Sequence, residues 1–272
     1  MRTFRAVTDD LPPLARHYCS YLEALASVAW PGDLADYDWG RLPSRLSGAW
    51  LAYAQMFDDF SREIANSINQ LILSQRRLSA WEIVLANVDE PIKHELSIEF
   101  VDPLATLALN LPAVIRDRFI FASAHLSHQA NLARDGADWR DDLPDDRRIR
   151  LVHVERYGSK WSANPAFIEA LKQLASQADY EASTANFRNM YNHRFPVRIL
   201  TGLSSAATRN IHPETHRPYY AFGGAPPLEL EAISAFLATQ IARANALYGA
   251  FKTLVREHEA AIKSTEERSS GQ

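Results

Sequence analysis

The sequence predicts an all-α protein, a helical bundle with long N- and C-terminal helices and only minor extended segments. Two long stretches carry apolar residues at every third or fourth position, which is the spacing of one helix face. The first begins at Trp50 and continues to Leu71, and the second extends from Leu230 to Val255. Because strand-like segments are few, we expect these two helices to frame the bundle.

Two further helices are predicted from their start signals. Proline is favoured in the first turn of a helix, and glycine is favoured just beyond its end. Asn110-Leu111-Pro112 therefore predicts a helix that ends at Gly136, and Asn164-Pro165 predicts a shorter helix that continues to Leu174.

Short segments between the helices show weak signs of extended structure. Residues 92–101, 148–154 and 217–222 combine β-branched or aromatic residues with partial alternation, so each is a candidate strand. The acidic stretch over residues 135–146 is predicted to be an exposed loop.

The length and composition favour one folded domain. A chain of 272 residues with 47% hydrophobic residues can bury a sizeable core. We expect a single helical domain over residues 1–263, in which helices of residues 9–90 pack on a core of about residues 110–255. The polar tail, residues 264–272, is expected to be disordered.

Composition also argues against several classes of protein. Cys19 is the single cysteine, so no intrachain disulfide can form, and we expect it to be a packing residue. Met1–Val7 precedes no long apolar run, so no signal peptide is expected, and no segment is expected to span a membrane. We therefore expect a cytoplasmic protein. The net charge of −4 argues against a general nucleic-acid binder but is compatible with a local basic groove.

The most chemically suggestive segment is Phe187–Pro196. It lies at the end of a predicted helix that begins at Asp179 or Tyr180 and is ended by the proline. Arg188 can present a permanently charged planar fork to a phosphate, and His193 can give or take a proton near neutral pH. These two side chains and the adjacent amide could act on a phosphodiester without a metal.

Other arginine and histidine pairs of similar spacing are less convincing, because each lacks either helical context or a polar residue after the arginine. These pairs are Arg118 with His125, Arg148 with His153, and Arg209 with His216.

Arg188, Asn189 and His193 together resemble the motif of the HEPN superfamily, helical-bundle proteins marked by an arginine, a following polar residue and a histidine a few positions later. The resemblance implies a HEPN-like bundle and a metal-independent endoribonuclease, with no cofactor. It also implies a homodimer in which both motifs line one cleft, an RNA or nucleotide ligand, and a setting such as a toxin–antitoxin, antiphage or stress response with an antitoxin or other protein partner.

One residue departs from part of that family. Several relatives that act with a nucleotidyltransferase carry a tyrosine two positions after the histidine, whereas this chain has Phe195. A toxin controlled by modification of that tyrosine is therefore disfavoured.

The proposed chemistry assigns each motif residue a role. A ribose 2′-hydroxyl can attack its neighbouring phosphate once a base removes its proton, so neither a metal nor a water nucleophile is needed. His193 is the candidate base or acid, and Arg188 is the candidate ligand of the phosphate oxygens. Asn189 would bind the phosphate or orient the histidine. Since five residues of helix rotate a side chain by about 140°, a symmetric dimer would help to unite the groups.

Residues outside the motif are candidates for substrate contact. Asn192 and Arg194 flank His193, while Arg116, His125 and His128 lie on the helix predicted to begin at Pro112. No metal site can be assigned to the two histidines, for which polar packing is the alternative.

Two other interpretations of the motif stay open. Arg188 could form a surface ion pair, with Glu181 for example, and His193 could simply be a favourable charge at a helix C-terminus. The protein would then be a non-catalytic HEPN-type module that binds a nucleotide, RNA or a protein, or else an unrelated helical interaction protein.

Overall fold

The computed structural model describes residues 11–270. The chain is 68% helical with 5% in strands, which confirms the all-α class. The α-helices of the described residues are α1 (Pro13–Ser27), α2 (Gly48–Leu85), α3 (Glu90–Leu96), α4 (Asp102–Ala130), α5 (Leu132–Asp135), α6 (Leu151–Gly158), α7 (Asn164–Gln173), α8 (Gln177–Thr184), α9 (Phe187–His193) and α10 (Leu230–Ser270). A π-helical turn, Ser97–Val101, joins α3 to α4.

Two short strands form one antiparallel hairpin. Strand β1 (Ala207–Ile211) pairs with β2 (Pro218–Phe222), and Arg209 lies directly opposite Tyr220. The sequence predicted the second strand but not the first.

The helices and the hairpin belong to two compact units. Unit 1 takes its described residues from Met1–Pro31, Ile72–Asn110 and Gln177–Thr239. Unit 2 takes its described residues from Gly32–Leu71, Leu111–Ser176 and Gln240–Gln272. The long helices α2, α4 and α10 each contribute residues to both units, so neither unit is a continuous piece of chain. The expected single domain with a core over residues 110–255 stays a prediction.

The core of unit 1 contains a stack of aromatic rings. Trp81 of α2 is stacked between Tyr21 of α1, at 4.5 Å between ring centroids, and Phe100 of the π-helical turn, at 4.9 Å. Arg76 of α2 donates hydrogen bonds to the carbonyl oxygens of Leu25 and Val28 at the C-terminal end of α1. These contacts satisfy carbonyls that have no partner within the helix, so α1 is joined to α2 by both packing and hydrogen bonds.

The core of unit 2 is built around α10. Phe251 of α10 contacts Phe119 of α4 and Phe167 of α7, and all three side chains are fully buried. Trp39 donates a hydrogen bond of 2.7 Å from its indole nitrogen to the Tyr248 hydroxyl, which in turn donates to the Asp36 carbonyl. The segment before α2 is thereby joined to α10.

The start of α4 corrects the predicted helix at Pro112. Helix α4 begins at Asp102, and Pro112 lies inside it. An internal proline leaves a carbonyl of the preceding turn without its usual donor. That carbonyl belongs to Ala108, and the Tyr180 hydroxyl donates a hydrogen bond of 2.7 Å to the adjacent Leu109 carbonyl. Helix α4 ends at Ala130, before the predicted stop, and Gly136, with a φ of 53°, directly follows the short helix α5.

Two predicted extended segments are helical instead. Residues 92–101 form α3 and the π-helical turn, and residues 148–154 enter α6 through a 3-10 turn. At the start of α6 the backbone N–H of Arg150 donates to Nδ1 of His153 at 2.9 Å. This hydrogen bond gives the backbone N–H at the N-terminus of α6 a partner. The alternation of apolar residues in the sequence did not indicate a helix start here.

The predicted disordered tail is also corrected. Helix α10 continues to Ser270, so the described part of the segment after Lys263 is helical. Glu266 accepts hydrogen bonds from the backbone N–H and the hydroxyl of Ser47, at 2.8 and 2.6 Å, and these bonds hold the last turns. The segment Met1–Val7, for which no signal peptide is expected, lies outside the described residues.

One helical stretch bears on the expectation that no segment spans a membrane. Within the described residues, Glu90–Asp138 is long and apolar enough to cross a membrane, judged by length and composition alone. However, 44% of its most apolar window is buried inside the protein. A core helix of a soluble helical protein has the same properties, so this stretch is weak support for a membrane span.

Candidate functional site

A sharp break in the chain positions the motif helix. Instead of one helix from Asp179, the structure has α8 and α9 separated by Ala185 and Asn186, whose φ angles are 49° and 57°. The Asn186 N–H donates to the Tyr180 carbonyl at 2.8 Å, and the buried Thr184 hydroxyl donates to the same carbonyl. These bonds end α8, so the seven residues of α9 take a new direction.

Helix α9 carries its polar motif on the side opposite its buried residue. Phe187 is buried, Arg188 is half-buried, and Asn189 and His193 are exposed. A helix rotates by about 100° per residue, so Arg188 and His193 are separated by about 140° around the helix axis. Asn189 and His193 lie one turn apart on the same face. His193 is the last residue of the helix. A ligand approaching this side from solvent would reach both the amide and the imidazole.

The other predicted neighbours of His193 are also exposed. Asn192 lies on the arc between Arg188 and His193, whereas Arg194 lies just past the helix end, on the side of Phe187. Phe195 then leaves the helix with 88% of its surface exposed.

A pocket of about 460 Å³ lies beside α9 in unit 1. Phe187 and Tyr191 of α9 line one wall, Asp102 and Thr106 of α4 line another, and residues 195–199 and 203–206 complete it. The loop that forms this last wall is held by backbone hydrogen bonds from Leu228 to Arg198, at 2.8 Å, and from Leu200 to Leu228, at 2.9 Å. This wall of the pocket is therefore held in place although it has no regular secondary structure.

Asp102 is a pocket residue that the sequence did not reveal. Burial raises the pKa of its carboxyl, while a 2.9 Å hydrogen bond from the Ser97 hydroxyl and the positive charge of Arg198 act in the opposite direction. A half-buried carboxyl with a raised pKa in a pocket is a candidate for proton transfer. No local pattern in the sequence marks Asp102, because only the fold brings Arg198 close to it.

The predicted contacts on α4 belong to unit 2, whereas α9 belongs to unit 1. Nε2 of His125 lies 3.2 Å from Asp146, and Nε2 of His128 lies 3.5 Å from Asp142. Burial is the main cause that lowers the pKa of His125. Arg116 donates to the Leu171 carbonyl at 3.3 Å. The Nε2 atoms of both histidines are buried beside a carboxylate but make no hydrogen bond to any described residue. Contact of these three side chains with a substrate stays a prediction.

Within residues 11–270 no three histidine, cysteine, aspartate or glutamate side chains lie close enough to hold a metal ion. Comparisons with protein-family models, with curated proteins and with solved structures found no match to this chain. The chemistry of the site therefore has to be inferred from its own residues.

Proposed function

We propose that this protein is a metal-independent endoribonuclease of HEPN type that acts through the polar side of α9. The observation that supports this proposal is the arrangement of Arg188, Asn189 and His193 on one side of a short helix, with the amide and the imidazole exposed to solvent. A histidine at a helix end and an arginine five residues before it are the two kinds of group that phosphodiester cleavage by an internal nucleophile requires.

The reaction needs only groups that the chain and the RNA supply. One imidazole accepts the proton of the ribose 2′-hydroxyl, and the 2′-oxygen forms a bond to the adjacent phosphorus. The bond from phosphorus to the 5′-oxygen breaks, and a protonated imidazole returns a proton to that oxygen. The products are a 2′,3′-cyclic phosphate and a 5′-hydroxyl. Arg188 stabilises the negative charge on the phosphate oxygens in the transition state.

A pair of identical chains fits this reaction better than one. The reaction uses an imidazole as base and an imidazolium as acid, and each chain has one motif histidine. In a two-fold symmetric dimer the same helix side faces itself, so two copies of His193 and two of Arg188 would lie around one phosphate. The protein is thus proposed to act as a cytoplasmic homodimer, in a toxin–antitoxin, antiphage or stress response, with an antitoxin or other protein partner.

Cleavage in the presence of EDTA tests the proposal. Purified protein and its Arg188→Ala and His193→Ala variants are incubated with mixed RNA, and the product ends are identified. We expect 2′,3′-cyclic phosphate ends from the parent protein and a loss of about 100-fold or more in each variant. Arg16→Ala and His17→Ala on α1 are matched controls and should cleave normally. Absence of cleavage by the parent protein, or equal cleavage by all variants, would contradict the proposal.

A further inference from the structure

The segment from α9 to the end of the hairpin differs in charge from the rest of the chain. Residues 187–222 contain five arginines and one acidic residue, in a protein whose net charge is −4. The arginines are Arg188, Arg194, Arg198, Arg209 and Arg217, and the acidic residue is Glu214. An acidic protein with one strongly basic segment has a local surface suited to a polyanion.

The same segment exposes aromatic rings. Five large aromatic side chains between α9 and the end of β2 are exposed, namely Tyr191, Phe195, Tyr219, Tyr220 and Phe222. Exposed rings interleaved with arginines are unusual on a surface that only faces water, since burial of such rings is favourable. They indicate a surface that a ligand covers.

The hairpin register collects the relevant groups on one face. Arg209 lies opposite Tyr220, and Ala207 lies opposite Phe222. Opposite residues, and residues two apart on one strand, share a face. Arg209, Tyr220 and Phe222 are therefore neighbours on one face, where Tyr220 is 65% exposed and Phe222 is 87% exposed. Tyr219 points to the other face.

We propose that this hairpin face binds single-stranded RNA. Bases would stack on Tyr220 and Phe222, while Arg209 would contact the phosphate between them. Stacking on aromatic rings together with cationic contacts to the backbone is how proteins bind single strands without reading their sequence. The small residue opposite Phe222 leaves that ring open to a base. This inference rests on the proposed function for its choice of RNA, and it adds the substrate class and the surface that holds it.

The binding test uses a probe that cannot be cleaved. A fluorescent oligouridylate with 2′-O-methyl riboses has no free 2′-hydroxyl, so its affinity can be measured by fluorescence anisotropy without turnover. We expect Tyr220→Ala and Phe222→Ala each to weaken binding by about tenfold. Arg209→Gln should weaken binding and reduce its dependence on salt, because one fewer counterion is released.

Matched controls separate the two faces of the hairpin. Tyr219→Ala removes a ring of the same strand from the opposite face and should leave the affinity nearly unchanged. A loss as large as that of Tyr220→Ala would overturn the assignment of the face. Circular dichroism and thermal unfolding of each variant establish that it is folded. Arg209→Gln leaves all aromatic rings in place, so a loss of affinity in this variant cannot come from lost ring packing.

The outcomes distinguish this inference from the proposed function. His193→Ala should bind the probe like the parent protein while it no longer cleaves RNA. If the hairpin variants lose affinity although the parent protein never cleaves RNA, the binding surface stands and the enzyme does not. Unchanged affinity in the hairpin variants of a protein that does cleave RNA would overturn the surface alone.

Other occupants of the face give other results. Tighter binding to vesicles of anionic phospholipid than to the probe, lost in the same variants, would overturn the proposal. So would a change from dimer to monomer in those variants without any loss of affinity. An RNA duplex of equal length should compete poorly, since its bases already stack on one another; equal competition would also count against the proposal.

Discussion

The hydroxyl oxygen of Tyr53 lies 3.1 Å from Nδ1 of His258, although 205 residues separate the two in the chain. Both side chains are fully buried in unit 2, and Nε2 of His258 faces the Ser127 hydroxyl at 3.4 Å. Burial lowers the pKa of His258 to about 3, with a smaller effect from the positive charge of Arg134. The imidazole is therefore neutral in the folded protein, and its hydrogen bonds are structural.

This histidine predicts a loss of stability in acid. Unfolded chains bind a proton on histidine below about pH 6.5, whereas the folded protein does so only near pH 3. Stability from this residue is therefore complete above pH 6.5 and is lost as the pH falls towards 3, by at most about 1.4 kcal/mol per pH unit. Urea unfolding at several pH values checks this.

A His258→Gln variant isolates the contribution of the histidine. The raised pKa of the neighbouring Glu259 has the opposite effect, since it adds stability as the pH falls. Both proteins contain Glu259, so its effect cancels when their unfolding free energies are compared. The remaining difference comes from His258 and should become smaller as the pH falls. A constant difference from pH 7 to pH 4 would contradict the neutral buried imidazole.

The aromatic stack of unit 1 predicts a large effect of one tryptophan. Trp81 is 2% exposed and stacks on two rings, so Trp81→Ala should lower the free energy of unfolding by about 3 to 5 kcal/mol. Trp30 is 50% exposed and packs over the Arg76 guanidinium at 4.5 Å. Trp30→Ala is the matched control and should cost about 1 kcal/mol. Similar losses in the two variants would show that the stack contributes little.

Two glycines predict opposite effects of the same substitution. A Cβ on Gly158 would lie 2.2 Å from Oδ1 of the buried Asn164, so Gly158→Ala should destabilise the protein by about 1 to 3 kcal/mol. Gly249 is an exposed helical residue with open space around it, so Gly249→Ala should stabilise by about 0.5 to 1 kcal/mol. Thermal unfolding measures both. A stabilising Gly158→Ala would contradict the close approach of Asn164.

The break before α9 predicts a further pair of effects. Ala185 and Asn186 both have left-handed backbone angles, which glycine adopts without strain and asparagine tolerates better than alanine. Ala185→Gly should therefore stabilise the protein by about 1 kcal/mol, and Asn186→Ala should destabilise it by a similar amount. Chemical denaturation of the two variants measures these changes in unfolding free energy. If one unbroken helix passed through these residues, Ala185→Gly would destabilise the protein and Asn186→Ala would stabilise it.

The proposed dimer predicts complementation between inactive chains. Mixing Arg188→Ala protein with His193→Ala protein produces mixed dimers, in which one chain supplies the arginine and the other supplies the histidine. The mixed cleft holds a single imidazole, which would act as base and, once protonated, as acid, more slowly than two imidazoles would. If one phosphate is held by groups from both chains, the mixture should therefore recover a small but measurable part of the cleavage that each variant lacks alone. No recovery, in mixtures that native mass spectrometry shows to contain mixed dimers, would place both groups of each site on a single chain.

The regular helices could be predicted because their signals are local. The apolar spacing from Trp50 and from Leu230 marks α2 and α10, and Asn164-Pro165 marks the start of α7. Strand β2 was predicted from its aromatic residues, but β1 was not, because Ala207–Ile211 becomes a strand only by pairing with it.

Other features could not be predicted because distant residues decide them. Pro112 was expected to begin a helix, yet α4 passes through it while Tyr180 bonds to the preceding turn. Asp102 became a candidate only when the structure placed it beside Arg198 in a pocket. His125 and His128 were candidates for substrate contact or polar packing, and only the structure shows that Asp146 and Asp142 lie beside them.

By itself, the sequence determined the helical class, the long helices and the motif of Arg188, Asn189 and His193, since these depend on residues only a few positions apart. The tertiary structure alone decided where α8 ends and α9 begins, which side of α9 meets solvent, and which charged groups are buried. Those outcomes depend on packing and hydrogen bonds between distant residues, and these outweigh the small conformational preferences of individual residues.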